Sequence, residues 1–192
     1  MLTIRELVLS LHGAWLLAKR DPGGMNWFDI SVGGFWRSFW AAAVAFPFYL
    51  LLMALPAPPG QGYAASPTEI FLVRCLGYGM AWVAFPLVAI PLTRLIDRSS
   101  FYVPMVIALN WASVIQSGIM TVAILLTFAL PDAMGSFVTL VGYGVVLYYA
   151  YFVTRVSLNV GVATAVAFVL IGSLLEILIY SFTDGLLPTA GA

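Results

Sequence analysis

Long uncharged segments dominate the pattern of apolar and polar positions along the chain. No charged residue occurs between Ser38 and Thr68, or between Ser99 and Pro131. The hydrocarbon core of a bilayer is about 30 Å thick, so a helix that crosses it needs roughly 20 apolar residues. The pattern predicts five transmembrane helices. Their predicted ranges are 38–55, 70–92, 101–129, 133–154 and 158–182.

The first 37 residues follow a different pattern. Their apolar positions recur at steps of three and four, which is typical of one face of a helix. The residues of this face are Ile4, Leu7, Val8, Leu11, Trp15 and Ala18. We expect an amphipathic helix from Leu2 to Ala18 that lies along the membrane surface. The alternative is a helix packed against the loops of the bundle. The chain thus divides into a cytoplasmic, interfacial segment (1–37) and a transmembrane domain (38–192).

Composition supports an all-α integral membrane bundle. Apolar residues make up 62% of the chain and charged residues 8%, against about 45–50% and about 25% in soluble domains. The net charge of zero gives no reason to expect a nucleic-acid partner. The chain has one cysteine and one histidine, so we expect no metal site and no cofactor.

Basic residues are segregated to one side of the predicted bundle. Seven of the eight fall before the first span or in the connections after the second and fourth. The charged residues of the opposite connections are all acidic. The seven are Arg5, Lys19, Arg20, Arg37, Arg94, Arg98 and Arg155. By the positive-inside rule, the N-terminus is cytoplasmic and the C-terminus outside. We expect a multi-pass protein of a bacterial cytoplasmic membrane.

Two ionisable residues lie within the predicted spans, Arg74 in the second and Glu176 in the fifth. Such residues are costly in lipid and usually face a partner or a cavity. Counted from the outer helix ends, both lie at a similar depth, which predicts an ion pair between the two spans. Three roles remain open for these charges. They are a structural lock or snorkelling to headgroups, a polar site for an ion or proton, and a contact with a partner.

The third predicted span carries polar residues at steps of three and four, which place them on one helical stripe. The stripe consists of Asn110, Ser113, Gln116 and Ser117. Hydrogen bonds to neighbouring helices are its default role, and a hydrophilic pathway is the alternative. Pro47, Pro86 and Pro91 predict helix kinks.

We find no arrangement of residues typical of a catalytic site, so we expect no enzyme activity.

The last third of the chain resembles the Yip-domain family of five-span membrane proteins. An aromatic-rich helix ending at Arg155, a short turn over 156–159 and a small-residue-rich helix over 161–180 occur in that family's order. The resemblance implies a cytoplasmic N-terminus, five closely spaced spans and a C-terminus on the far side. A short amphipathic helix replaces the soluble N-terminal region of eukaryotic members, so neither GTPase binding nor any functional residue is carried over.

Two functions follow from these features. The first is a non-enzymatic scaffold or accessory subunit that binds membrane lipids and either another membrane protein or further copies of itself. The second is a small oligomeric transporter or channel that uses the polar stripe and the charges of Arg74 and Glu176. A cavity reaching these polar residues would discriminate between the two.

Overall fold

The computed structural model describes residues 2–56 and 63–188. Within those ranges the chain is all-α, and short 3-10 turns cover Pro22–Trp27 and Ser99–Phe101. Residues 57–62 and 189–192 of the predicted transmembrane domain lie outside the description. The α-helices are α1 (Ile4–Ala18), α2 (Val32–Ser38), α3 (Trp40–Met53), α4 (Pro67–Leu95), α5 (Tyr102–Thr127), α6 (Asp132–Leu158) and α7 (Val162–Asp184).

Five of the described segments are long and apolar enough to cross a membrane, which confirms the predicted architecture of a multi-pass helical bundle. The first is α2 and α3 together, because only Phe39 separates them in the 22-residue segment Val32–Met53. It begins six residues before the predicted start at Ser38. Ser31 caps the new start by accepting a hydrogen bond from the backbone of Gly34.

The other helix boundaries differ from the prediction by up to four residues, and two of them have a clear local feature. A capping box at Ser66 and Glu69 starts α4 at Pro67 rather than at 70. At the other boundary, α6 continues to Leu158 instead of ending at 154, so Arg155 belongs to the helix and not to a turn. Asn159 ends α6 in the left-handed region, with φ 50°. Asparagine tolerates this conformation better than most residues.

Contacts between the helices give an alternating up-and-down order. Gly135 and Gly142 of α6 approach Thr127 and Ala123 of α5, so these two helices run antiparallel. We call the end that holds α1 and the turns before α5 and α7 the α1 end. The opposite end, where α5 meets α6, is the far end. Every basic residue except Arg74 falls in elements at the α1 end.

The middle of the bundle is occupied by α5, which packs against α1, α2, α3 and α6. Its first half is buried almost without interruption from Met105 to Ala112, and Trp111 retains only 2% exposure. Towards the far end α5 becomes lipid-facing, since Leu125 and Leu126 are exposed. The pair of α4 and α7 packs beside this core. The densest part of the molecule is therefore the α1 end.

The most buried residues of the first helix are not those of its predicted apolar face. Ser10, Gly13, Ala14 and Leu17 are buried, and α1 contacts α5, α6 and the following 3-10 turn. A Cβ atom on Gly13 would lie 2.8 Å from the carbonyl oxygen of Gly24, so this close approach requires glycine. Half of the predicted face packs against the core and half is exposed. The packed residues are Leu7, Leu11 and Ala18, and the exposed ones are Ile4, Val8 and Trp15.

Candidate functional site

Arg74 lies on the second turn of α4 and its cationic group is only partly neutralised. Its Nη2 atom is 4.0 Å from Oδ1 of Asp184, and both side chains are partly exposed. The guanidinium also lies 5.8 Å from the ring centroid of Tyr63. Its Nε atom is buried and has no hydrogen-bond partner among the described residues. Arg74 is thus a cation with spare binding capacity at the far end.

The predicted ion pair between Arg74 and Glu176 does not form in the structure. The reason is the axial stagger of the two helices. A Cβ atom on Gly77 would meet Thr183, so the end of α7 packs against α4 at Gly77. Gly77 lies about one helical turn after Arg74 on α4. Glu176 precedes Thr183 by seven residues, which is ~10 Å along the helix. Asp184, one residue beyond Thr183, therefore takes the position near Arg74.

Glu176 has an unusual position on α7. Gly172, Ile179 and Thr183 are spaced so that they share its helical face. Gly172 lies against Phe85 of α4, and Ile179 and Thr183 are buried. Glu176 is nevertheless exposed, and it forms no ion pair with any residue in the described ranges. Glu176 is thus an exposed carboxylate within a membrane-spanning helix, beside the exposed side chains of Ile177 and Leu178.

An aromatic cluster lies between α3 and α4. The ring centroids of Tyr49 and Tyr78 are 4.6 Å apart, and those of Tyr78 and Trp82 are 6.0 Å apart. Tyr49 donates a hydrogen bond to the carbonyl oxygen of Arg74, and Tyr78 donates one to that of Ala42. The two hydroxyls thereby tie α3 to α4.

The four members of the polar stripe have separate surroundings. Asn110 Nδ2 donates a 2.9 Å hydrogen bond to the Oγ atom of Ser38, which in turn donates to the carbonyl of Phe35. Ser113 donates to the carbonyl of Leu109 within its own helix. The remaining two, Gln116 and Ser117, are half-buried. Of these four residues, only Asn110 is shown joining α5 to another helix through its side chain.

The three predicted kink residues all lie inside continuous helices. Pro47 is within α3, and Pro86 and Pro91 are within α4. Tyr102 donates a hydrogen bond to the carbonyl oxygen of Pro86, which fastens the start of α5 to α4. The kinks themselves stay a prediction.

Hydrogen bonds and ion pairs attach α1 to the bundle. Tyr149 of α6 donates a 2.6 Å hydrogen bond to the carbonyl oxygen of Ala14. Arg37 bridges two carboxylates, Glu6 on α1 at 2.6 Å and Asp29 before α2. The backbone N–H of Ser31 holds the pKa of Asp29 below its usual value, and Arg37 lowers it further. These contacts fix the position of α1 against the spans.

An apolar groove of about 520 Å³ opens on the outside of the bundle between α1, α3 and α5. Its lining residues are Trp15, Phe48, Val114, Ile115, Gly118, Ile119 and Val122. No polar side chain lines it, so acyl chains are its natural neighbours in a membrane.

Within the ranges that the structure describes, no group of three or more His, Cys, Asp or Glu residues is placed to hold a metal ion.

Sequence reasoning missed several residues of these sites. The sequence predicts Ser38 as the first residue of a span but gives it no hydrogen-bond partner. It does not single out Asp184 as a partner of Arg74. Tyr49, Tyr78 and Tyr180 carry one weak signal in the sequence, since each is a polar-tipped aromatic within a hydrophobic run.

Comparison of the chain with protein-family models, curated proteins and solved structures found no match.

Proposed function

We propose that the protein is a non-enzymatic scaffold or accessory subunit of the cytoplasmic membrane that resembles Yip-domain proteins in its layout. The observation that supports this function best is the closure of the polar stripe at the α1 end. Asn110 is 6% exposed and Ser38 is fully buried, and their hydrogen bond is enclosed by α1 and α2. A polar pathway along α5 would have to open this contact.

The positions of the charges support a cytoplasmic location for the α1 end. Seven basic residues belong to elements at this end, and Glu69, Asp132 and Asp184 belong to the far end. This asymmetry agrees with the positive-inside rule.

The surface offers partners a large apolar area, since exposed side chains on α6 and α7 include Phe137, Leu140, Leu170 and Ile177.

A small oligomeric transporter is the second candidate, and the exposed carboxylate of Glu176 favours it. Carboxylates within spans often mark the route of an ion or proton. In this candidate the route begins near Glu176, whereas Asn110 lies in the closed half. The two functions therefore differ in whether water ever reaches the stripe on α5.

Cysteine accessibility tests the proposal. With Cys75 replaced, single cysteines are introduced at Asn110, Gln116 and Glu176 and treated with a membrane-impermeant thiol reagent from either side. A scaffold predicts protection at 110 and 116 from both sides, whatever happens at 176. Labelling of 110 and 116 in the folded protein would establish a water-filled pathway and reject the scaffold.

A further inference from the structure

The apolar groove between α1, α3 and α5 has an open floor at Gly118. A Cβ atom added to Gly118 would have no neighbour closer than the Cζ atom of Phe48, at 3.8 Å. The glycines at helix contacts differ, because a Cβ atom on Gly77 or Gly142 would come within 2.9 Å of the facing helix. The described helices therefore leave the groove at Gly118 unfilled.

The length of the groove matches one leaflet of a bilayer. Its α5 side runs from Val114 to Val122. Eight residues of helix correspond to ~12 Å, and one leaflet supplies half of a hydrocarbon core that is about 30 Å thick. An acyl chain of one leaflet fits this length, whereas a helix that crosses the membrane would extend well beyond it.

A cation lies beside the groove. Trp15 is one of the lining residues, and the Nζ atom of Lys19 lies 5.0 Å from the centroid of its ring. An aromatic face attracts an ammonium group and so holds it near the groove. Lys19 is exposed and takes part in no ion pair within the described ranges. Its N–H donors are therefore open to an anion from outside the chain.

The cation and the groove are arranged in a defined direction. Ala14 and Leu17 of α1 belong to the same core cluster as Trp111 of α5, so α1 meets α5 just before the groove begins at Val114. Lys19 follows on α1, and the groove leads away from it towards the far end. A charged group at one end of an apolar channel is the arrangement that suits an anionic amphiphile.

We propose that the groove and Lys19 form a binding site for an anionic phospholipid of the leaflet at the α1 end. One acyl chain lies in the groove over Gly118, and the headgroup phosphate accepts charge-assisted hydrogen bonds from Lys19. The inference rests on the scaffold function and deepens it, because it names the class of lipid that the protein holds and the place where it is held.

Native mass spectrometry of the full-length protein released from detergent micelles tests the site, because it counts bound lipids and detects dimers. Dioleoyl phosphatidylglycerol is the anionic probe, and dioleoyl phosphatidylcholine has the same acyl chains without a net charge. We expect one phosphatidylglycerol per chain at the tightest site. Its affinity should exceed that of phosphatidylcholine by about fivefold, as expected for one lysine near an anionic lipid.

Two variants separate the charge from the groove. Lys19→Gln should lower the affinity for phosphatidylglycerol to that for phosphatidylcholine and leave the latter unchanged. Gly118→Leu should weaken both lipids by about fourfold or more, the equivalent of one methylene group displaced from the groove. Gly118→Ala provides a smaller step if the leucine variant does not fold, since its added atom has room.

Each variant has a matched control. Arg94→Gln removes an exposed cation in the last turn of α4, also at the α1 end. Gly144→Leu adds the same side chain on an exposed position of α6, where a Cβ atom would meet nothing within 4 Å. Both controls should bind the two lipids as the wild type does.

Three results would overturn the proposal. The first is equal affinity of the wild-type protein for the two lipids, and the second is wild-type binding of phosphatidylglycerol in Lys19→Gln or in Gly118→Leu. The third is a lipid-free dimer that dissociates in Gly118→Leu, since this would identify a second copy of the chain as the occupant. If Asn110 and Gln116 stay protected from thiol reagents, such results remove the lipid site alone and leave the scaffold function standing.

Discussion

The two ends of the bundle treat polar groups in opposite ways. At the α1 end the buried amide of Asn110 is bonded to Ser38, and the hydroxyl of Tyr149 is bonded to Ala14. Towards the far end Arg74 keeps an unpaired Nε atom, and Glu176 is exposed without an ion-pair partner among the described residues.

This difference teaches that the two sets of polar residues have different roles. Satisfied polar groups stabilise a unique packing, whereas unsatisfied ones reduce stability. The α1 end therefore has the properties of a folding core. The far end holds polar groups without a partner among the described residues, and variants that change stability should divide along the same line.

The largest expected effect belongs to the core of the α1 end. Trp111→Ala removes a side chain that is 2% exposed and lies in a core cluster with buried residues of α1, α3 and α6. The expected loss is about 3–5 kcal/mol in the free energy of unfolding, because the cavity can collapse only partly. Unfolding by sodium dodecyl sulfate in mixed micelles measures it. Trp36→Ala is the matched control, since Trp36 is 68% exposed and should cost little. Equal losses in the two variants would remove the distinction between core and surface.

The next effect should have the opposite sign. Glu176→Leu removes an unpaired carboxylate from the packed face of α7, and we expect stabilisation by about 1–3 kcal/mol in the same assay. Leu174→Glu places a carboxylate on the exposed face two residues earlier, where it should be destabilising instead. A destabilised Glu176→Leu protein would mean that Glu176 has a stabilising partner and would contradict the contrast between the two ends.

The architecture could be predicted from the sequence because it depends on local composition. Uncharged runs of sufficient length determine the five membrane helices, whatever packs beside them. The prediction placed the start of α4 three residues too late, although Ser66 and Glu69 have the spacing of a capping box. The end of α6 was not, because Arg155 appeared to interrupt the apolar run although the helix stops only at the left-handed Asn159.

The candidate sites could be predicted only in part, because they depend on contacts between distant segments. Hydropathy identified Arg74 and Glu176 as unusual but gave no information about the stagger of α4 against α7. That stagger follows from close contacts at Gly77 and Gly172. Likewise the stripe on α5 predicted hydrogen bonding, but Ser38, the partner of Asn110, lies 72 residues earlier.

A smaller effect is expected for the attachment of α1. Tyr149→Phe deletes the hydroxyl that donates to Ala14 and leaves a buried carbonyl without this donor. We expect a loss of about 1 kcal/mol in the free energy of unfolding, together with faster hydrogen exchange in α1 measured by mass spectrometry. Tyr148→Phe controls for the loss of a hydroxyl, because Tyr148 is 48% exposed. Unchanged exchange in α1 would show that the hydrogen bond does not hold the helix in place.

The smallest effect should come from acidification at the α1 end. The folded protein lowers the pKa of Asp29 through the backbone N–H of Ser31 and through Arg37. The corresponding stability is present above the pKa of the unfolded chain, near 3.9, and is lost as the pH falls through the lower folded value. It should stay below about 1 kcal/mol, because the Asp29 side chain is 43% exposed and screened by water.

Limited proteolysis of the 3-10 turn and α2 between pH 6 and pH 3 measures this effect. Asp29→Asn should make the segment more susceptible at pH 6 and reduce the rise in cleavage on acidification. Glu69→Gln, at the start of α4, controls for the removal of a carboxylate at the far end. If Asp29→Asn kept the full pH dependence of the wild type, Asp29 would not be its cause and would be an ordinary surface carboxylate.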